Sequence, residues 1–150
     1  MSVVSGLAAE IYDTELGYET GAKRDAEVSL ISGWLDANIG AVNTYINSSF
    51  SASDLSVTGH LEERAITKEL YLSTYYGKQA RNVLRGIDGS SNQLDFQTLR
   101  EGDSVITRTN KNQVAANYRL LQEQSEEKLK ELVHLYNMYK SSPNQVYGND

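Results

Sequence analysis

The longest regular pattern of apolar and polar positions runs from residue 110 to residue 139. Apolar side chains recur there at steps of three and four residues, which is the spacing of one face of a helix, and Ser125 is the weak position in this stripe. The opposite face is polar and includes Gln122. Because such a helix cannot bury its stripe alone, the pattern predicts other helices packed along it. The stripe consists of Val114, Tyr118, Leu121, Ser125, Leu129, Leu132, Tyr136 and Tyr139.

A second helical stripe begins near Asp25 and continues to about Phe50. Gly33 and Gly40 lie inside it, and each glycine costs about 1 kcal/mol relative to alanine in a helix interior. We therefore expect a break near Gly40. Trp34, beside the stripe, is expected to anchor a core or an interface. The apolar positions of this stripe are Val28, Ile31, Leu35, Ile39, Val42 and Ile46.

A serine-rich stretch over residues 48–59 predicts a loop, and residues 61–86 predict a third helix. Its first turn contains two glutamates and its last turn Arg81 and Arg85, an order that suits the helix dipole. Gly86 is a suitable residue to follow a helix C-terminus. The pattern therefore indicates three main helices.

The segment between the third and the last helix changes character. Residues 101–104, Glu-Gly-Asp-Ser, indicate a turn, and Val105, Ile106 and Thr107 are β-branched and indicate a short extended segment. A lone strand leaves backbone groups without partners. We therefore expect this strand to find its partner in another copy of the chain.

Both ends of the chain are expected to be arms. Glycines punctuate residues 1–24, which indicates an arm or a loosely attached short helix. Pro143 forbids continuation of the last helix, so residues 140–150 are expected to form an extended C-terminal arm. The predicted fold is all-α: an antiparallel bundle of three main helices over residues 25–139, with a short extended segment before the last helix and arms at both ends.

Composition narrows the classes of function. The 150 residues include no cysteine, which excludes disulfides and thiolate metal sites. No apolar run approaches the roughly 20 residues of a membrane span, and no signal peptide is expected. Net charge is −6, but residues 1–63 carry ten acidic and two basic residues, whereas residues 64–119 carry five and nine. This polarity reflects either solvated helix faces, complementarity between copies, or a basic surface turned toward nucleic acid.

No motif indicates catalysis, a cofactor or a metal ion. The two histidines, His60 and His134, lie in different elements, and the adjacent Glu62 and Glu63 point in different directions on a helix. The sequence therefore predicts a protein that is not an enzyme. Basic residues interleaved with tyrosines leave nucleic-acid binding open. They are Lys78, Arg81, Arg85, Arg100, Arg108, Lys111 and Arg119, with Tyr71, Tyr75, Tyr76 and Tyr118.

Three stretches together resemble the head–tail connector, or adaptor, proteins in the neck of tailed bacteriophages. The likeness is one of element order and pattern, and it covers residues 25–147. The first stretch has Ser32-Gly33-Trp34-Leu35 and Asn38-Ile39-Gly40, and the third joins Glu101-Gly102-Asp103-Ser104 to the long helix and the tail from Pro143. The second has Leu70-Tyr71, Tyr75-Tyr76 and Ala80-Arg81-Asn82-Val83-Leu84-Arg85-Gly86.

The resemblance implies a structural virion protein that is assembled in the host cytoplasm. Such proteins form a ring, usually of twelve copies, that docks below the portal, contacts the next neck or tail protein, and surrounds the channel for double-stranded DNA without reading its sequence. It implies no membrane partner and no cofactor. The portal-binding arm would include Lys140, Pro143, Val146 and Tyr147. The interface between subunits would include Trp34, Tyr75, Tyr76, Arg81, Arg85, Asp103 and Arg108.

Two other interpretations follow from the residues. A non-viral helical protein-interaction module would use the same apolar and tyrosine-rich surfaces for a fixed partner. An enzyme or nucleic-acid binder would use the arginine and tyrosine cluster, and its binding to short DNA would weaken as salt is added.

Overall fold

A computed structural model describes residues 5–17, 19–51, 55, 60–85, 98–101, 104–107 and 111–141, with only the backbone for the strands. Within these residues, none of the helices combines the length and the apolar character that a membrane crossing requires. The elements are α1 (Ser5–Ile11), a π-helical segment (Tyr12–Leu16), α2 (Ala22–Ile46), α3 (Leu61–Arg85), β1 (Thr98–Glu101), β2 (Ser104–Thr107) and α4 (Lys111–Ser141).

The chain divides into two compact units, which are described separately. Unit 1 consists of Met1–Glu69 and Lys128–Asp150, and unit 2 of Leu70–Glu127. The predicted fold class is confirmed, because the three main helices α2, α3 and α4 form a helical bundle and account for most of the described residues. In unit 1, the ion pair between Glu69 and Lys128 joins the middle of α3 to α4.

Helix α2 runs without interruption from Ala22 to Ile46, so the break expected near Gly40 is wrong. A Cβ atom built on Gly33 or Gly40 would meet nothing within 4 Å, and both residues are exposed. The glycines lower helix propensity, but burial of the apolar stripe on the other face holds the helix together. Ile31, Leu35, Val42 and Ile46 are buried, as the spacing predicted.

The stripe of α4 is only partly as predicted. Leu121 is 39% exposed and Tyr139 is 84% exposed, whereas the weak position Ser125 is buried. Gln122, expected on the polar face, is half-buried. The physical reason lies in unit 2, where Gly77 of α3 leaves room for Gln122, since a Cβ at Gly77 would lie 2.9 Å from Gln122 Nε2. Gly77 of α3 thus allows the polar side chain of Gln122 into the contact between α3 and α4.

The extended segment before the last helix pairs within its own chain. Strands β1 and β2 form a two-stranded antiparallel sheet in which Leu99 is opposite Ile106 and Glu101 is opposite Ser104. The expectation that β2 needs a strand from another copy is therefore wrong. Only two residues, Gly102 and Asp103, separate the strands in the sequence, a length typical of a tight hairpin.

The N-terminal helix is firmly packed rather than loosely attached. Leu7, Ala8 and Ile11 of α1 are at most 2% exposed. Arg64 of α3 donates a hydrogen bond to Glu10, and Lys68 lies 2.6 Å from a carboxylate oxygen of Glu15. These ion pairs join acidic residues of the first third to the first bases of the middle segment within one copy. They account for part of the charge polarity without a second copy.

The last helix extends one residue beyond the start of the predicted arm. Lys140 lies in α4, which ends at Ser141, so its assignment to an extended arm is wrong. Pro143 explains the endpoint, because the residue before a proline is disfavoured in the helical conformation. The rest of the predicted arm, including Pro143, Val146 and Tyr147, lies outside the described residues.

Candidate functional site

An apolar groove lies in unit 1. The first turns of α3 and the last turns of α4 form its walls, and its volume is about 340 Å³. Ile66 is buried in the groove, whereas Leu61 is 71% exposed and Leu135 is 46% exposed. The groove is lined by Leu61, Glu62, Ala65, Ile66, Leu132, Leu135, Tyr136 and Tyr139.

A hydrogen bond between the two helices stabilises the groove. The Tyr136 hydroxyl donates to Oε1 of Glu63 over 2.9 Å, and Glu63 is 8% exposed. His60 Nδ1 lies 3.9 Å from the other carboxylate oxygen of Glu63, and the His60 ring packs edge-on against Phe50. Burial, together with the hydrogen bond to Glu63, raises the pKa of the Tyr136 phenol. At neutral pH the phenol therefore stays protonated and donates its hydrogen bond to Glu63.

Lys140 fixes the last turn of α4 to the end of α2. Its Nζ donates to the backbone oxygens of Ile46 and Asn47 over 3.3 and 3.2 Å, and it lies 5.5 Å from the centre of the Tyr136 ring. Asn47 has a left-handed backbone conformation, with φ of 50°, that ends α2. A cation beside the last carbonyls of a helix stabilises them and opposes the negative end of the helix dipole. The ammonium group of Lys140 is therefore a C-cap for α2.

Among the residues that the structure describes, the charges beside the groove are acidic or already paired. Glu62 lines the groove and is exposed, and Glu131, one turn before Leu135 on α4, is also exposed. Lys128 lies on the groove side of α4 by helical spacing, but its ammonium is 2.7 Å from a carboxylate oxygen of Glu69. This contact raises the pKa of Lys128. A partner for this groove must therefore present apolar groups flanked by positive charge.

No protein-family model, curated protein or solved structure matches this chain. Over the residues that the structure describes, no three His, Asp or Glu side chains are grouped so that they could hold a metal ion.

The predicted interface residues fall in both units. Trp34 lies half-buried in α2 of unit 1, and Tyr75 and Tyr76 lie half-buried in α3 of unit 2. Arg81 and Arg85 are exposed near the end of α3. The remaining predicted interface residues, Asp103 and Arg108, lie outside the described residues.

The tyrosines predicted for an interface or for base stacking contact one another. The rings of Tyr71 and Tyr75 stack with centroids 6.1 Å apart, and Tyr75 meets Tyr76 edge-on at 5.6 Å. All three side chains are half-buried. They form a small aromatic cluster on α3. The exposed cations Lys78, Arg81 and Arg85 lie in the following turns of the same helix.

Sequence reasoning missed several residues of the groove. Leu61 begins α3, and Leu135 lies off the predicted stripe of α4, so neither belongs to a regular pattern. Leu135, next to the stripe of α4, could have indicated that the apolar face of this helix is wider than packing against one neighbouring helix requires. The role of Glu63 could not be found from spacing, because its partner Tyr136 is 73 residues away.

Proposed function

We propose that this chain is a structural assembly protein that acts as a head–tail connector of a tailed bacteriophage. Many copies form a ring below the portal, join the capsid to the tail, and surround the DNA channel. The sequence resemblance suggests the family, and the groove of unit 1 is the observation that carries an assembly role. The protein has no catalytic step in this proposal.

The groove supports an assembly role because it leaves large apolar side chains in water. Leu61, Leu135 and Tyr139 are all more than two-fifths exposed. Covering such a side chain is worth roughly 1.5–3 kcal/mol, and apolar patches rimmed by polar groups mark interaction sites. A partner that covers all three side chains therefore gains several contacts from one docking event.

The end of α4 is a suitable base for a portal-binding arm. Lys140 and Asn137 tie the last two turns of α4 to the backbone of α2, so the chain leaves this helix from a fixed point. In the proposal, the residues after Ser141, including Pro143, Val146 and Tyr147, reach the portal. Lys140 supports this arm as its anchor and does not itself touch the portal.

The experiment is an assembly assay on the full chain with the portal protein encoded in the same genome. Negative-stain electron microscopy and mass photometry are recorded for the chain alone, the portal alone and the mixture. We expect the mixture of chain and portal to contain ring-shaped particles with a larger mass than any particle formed by either protein alone. A chain with Pro143→Ala, Val146→Ser and Tyr147→Ser should lose portal binding and keep its helical circular dichroism.

A matched control shows whether the loss of portal binding is specific to substitutions in the arm. Leu30→Ser changes a leucine of α2 that is 69% exposed and far along the chain from the arm, and it should leave portal binding unchanged. If the native chain ignores the portal at every concentration, the proposal is wrong.

A second candidate is a helical protein-interaction module outside any virus, and the same groove favours it. Such a module holds one fixed partner, so it would give a stable dimer or a one-to-one complex. Mass photometry distinguishes the two candidates, because a connector gives particles of many copies whereas a module stops at two chains.

A further inference from the structure

The groove of unit 1 sets chemical requirements for its occupant. Its walls take an aliphatic side chain, and Glu62 and Glu131, the charges beside it that have no ion-pair partner among the described residues, are negative and exposed. On α4, Lys130 and His134 point away from the groove by helical spacing. A suitable occupant is therefore a large apolar side chain on a helix with cations within one turn on either side.

Unit 2 of the same chain carries such a group at the end of α3. Leu84 is 45% exposed, and Arg81 and Arg85, three residues before it and one after it, are also exposed. Lys78 lies one turn earlier, and residues 70–85 contain no acidic side chain. We refer to Arg81, Leu84 and Arg85 as the basic leucine surface.

We propose that the groove of unit 1 in one copy receives the basic leucine surface of unit 2 from a second copy. Leu84 enters between Leu61 and Leu135, and the two arginines meet the exposed glutamates. The inference rests on the proposed function, because it names the contact by which copies associate. It also assigns the partner of two predicted interface residues, Arg81 and Arg85.

In the proposed ring the contact is heterologous, since the groove of each copy meets the basic leucine surface of the next copy. A heterologous contact leaves one groove and one basic leucine surface free in every dimer, so association continues until a ring closes. A symmetric contact of groove against groove would instead bring Glu62 and Glu131 of both copies together, and juxtaposed like charges disfavour it. Charge complementarity therefore favours the contact of groove with basic leucine surface over the contact of groove with groove.

The absence of native cysteine allows a direct test by cross-linking. Full-length Leu84→Cys and Leu135→Cys variants are prepared separately, given different tags, mixed, and treated with a short bifunctional maleimide. We expect a cross-linked heterodimer from the mixture and little homodimer from either variant alone. The same reaction captures weak contacts that do not survive chromatography.

Two exposed leucines serve as matched controls. Leu120 lies in unit 2 and is 54% exposed, and Leu30 lies in unit 1 and is 69% exposed. Mixing Leu120→Cys with Leu135→Cys, or Leu84→Cys with Leu30→Cys, should give only the yield of random collision. Equal yields from a control pair and from the proposed pair would overturn the inference.

Charge reversal tests the proposed pairing of the two arginines with the two glutamates beside the groove. Arg81→Glu with Arg85→Glu in the Leu84→Cys copy should lower the heterodimer yield about tenfold. Glu62→Arg with Glu131→Arg in the Leu135→Cys copy should restore much of it. Circular dichroism of each variant shows whether it is folded, and an unchanged yield after charge reversal in a folded variant contradicts the proposed pairing of charges.

The outcome is separable from the assembly assay. If rings form with the portal but the Leu84 and Leu135 pair does not cross-link above the controls, the connector function stands and this contact is wrong. If the pair cross-links specifically but no assembly larger than two chains forms under any condition, the contact stands as one made twice in a closed dimer, and both the head-to-tail arrangement and the ring function are wrong.

Discussion

Units 1 and 2 differ in how they bury apolar surface. Of the fourteen buried apolar residues in the described part of the chain, eleven lie in unit 1 and three in unit 2. Unit 1 buries isoleucine, leucine and valine, whereas the three of unit 2 are Leu72, Ala80 and Ala115. Among the described residues, unit 1 therefore has the larger apolar interior, and in unit 2 helices α3 and α4 bury fewer and mostly smaller apolar side chains.

The difference teaches where most of the folding stability resides, whereas surfaces suited to binding are present in both units. Burial of aliphatic side chains is the main favourable term in folding, so among the described residues unit 1 supplies most of it. Both units leave large apolar side chains more than a third exposed, among them Leu61 and Leu135 in unit 1 and Leu84 and Leu120 in unit 2, which is costly for a monomer and useful for an assembly. Unit 2 has fewer buried aliphatic side chains among its described residues to offset this cost. Local unfolding should therefore occur more readily in unit 2 than in unit 1.

Truncating one buried side chain in each unit gives the largest expected effects. Ile31→Ala in unit 1 should lower the free energy of unfolding by about 3 kcal/mol, and Leu72→Ala in unit 2 by about 2 kcal/mol. Ile31 is 2% and Leu72 is 4% exposed, so the difference reflects the smaller apolar interior of unit 2. Urea denaturation measures both values. Leu30→Ala, beside Ile31 but exposed, should change stability by less than about 0.5 kcal/mol, and a larger loss for Leu72 than for Ile31 would break the comparison.

Removing one hydroxyl from the groove of unit 1 comes next. Tyr136→Phe takes away the donor to the buried Glu63 carboxylate and should cost about 1–2 kcal/mol. Because the pKa of Tyr136 is raised in the folded chain, its contribution is fully present below the ordinary tyrosine pKa of about 10. It is lost as pH rises through the raised value. Stability measured against pH should fall less steeply above pH 10 in Tyr136→Phe than in the native chain. Tyr139→Phe, with an exposed ring, is the control and should behave like the native chain.

The cap at the end of α2 should contribute somewhat less. Lys140→Met keeps the length of the side chain but removes the hydrogen bonds to Ile46 and Asn47, and the expected loss is about 1 kcal/mol. Hydrogen exchange should become faster at the last amides of α2 and stay unchanged at its first turn. Lys130→Met removes an exposed lysine of the same helix and should have no such effect. Uniform acceleration along α2 would mean that Lys140 is not a local cap.

Glycine substitutions distinguish open from closed helix surfaces in the two units. Gly33→Ala in unit 1 faces open space and should stabilise the chain by about 0.5–1 kcal/mol. Gly77→Ala in unit 2 places its Cβ against the Gln122 amide and should lose that benefit. In a chain that already carries Gln122→Ala, the Gly77→Ala change should become stabilising, which a double-mutant cycle measures as coupling. Additive effects would show that Gln122 does not limit the approach at Gly77.

The smallest expected effect concerns an exposed ion pair of unit 1. Arg24 donates two hydrogen bonds to Asp13, of 2.8 and 2.7 Å, and they lower the pKa of Asp13 below its ordinary value of 3.8. The pair therefore stabilises the fold above pH 3.8 and loses this contribution as pH falls through the lowered pKa. Thermal unfolding of Asp13→Asn should match the native chain at low pH and fall slightly below it at pH 7. Identical curves at both pH values would mean that the pair contributes nothing.

Helical periodicity predicted the main elements well because it depends on local sequence. The stripe of α2 is buried at four of its six predicted positions, and Leu61 is the first residue of α3, as predicted. Spacing did not predict which of two adjacent residues of α4, Leu121 or Gln122, packs against the neighbouring helix. In α4 the contact uses Gln122 rather than Leu121, because Gly77 of another helix provides the space, and no pattern within α4 contains that information.

The candidate site was harder to predict than the fold. The predicted interface residues include tyrosines that are half-buried, whereas Arg81 and Arg85 are exposed on the surface that we propose to bind a second copy. The groove itself was missed, because Leu61 and Leu135 come from helices far apart in the sequence. Lys140 was assigned to an arm because it lies near a proline, but its ammonium reaches the end of α2, 93 residues earlier.

The sequence alone determined the helical character of this protein, the approximate ends of its main helices and its charge polarity, since these depend on local spacing and composition. Tertiary structure decided which side chains are buried in α4, which charges pair within one copy and where an apolar groove remains open. Those features depend on contacts between distant segments, and a periodic pattern specifies a face of a helix but not the helix that covers it.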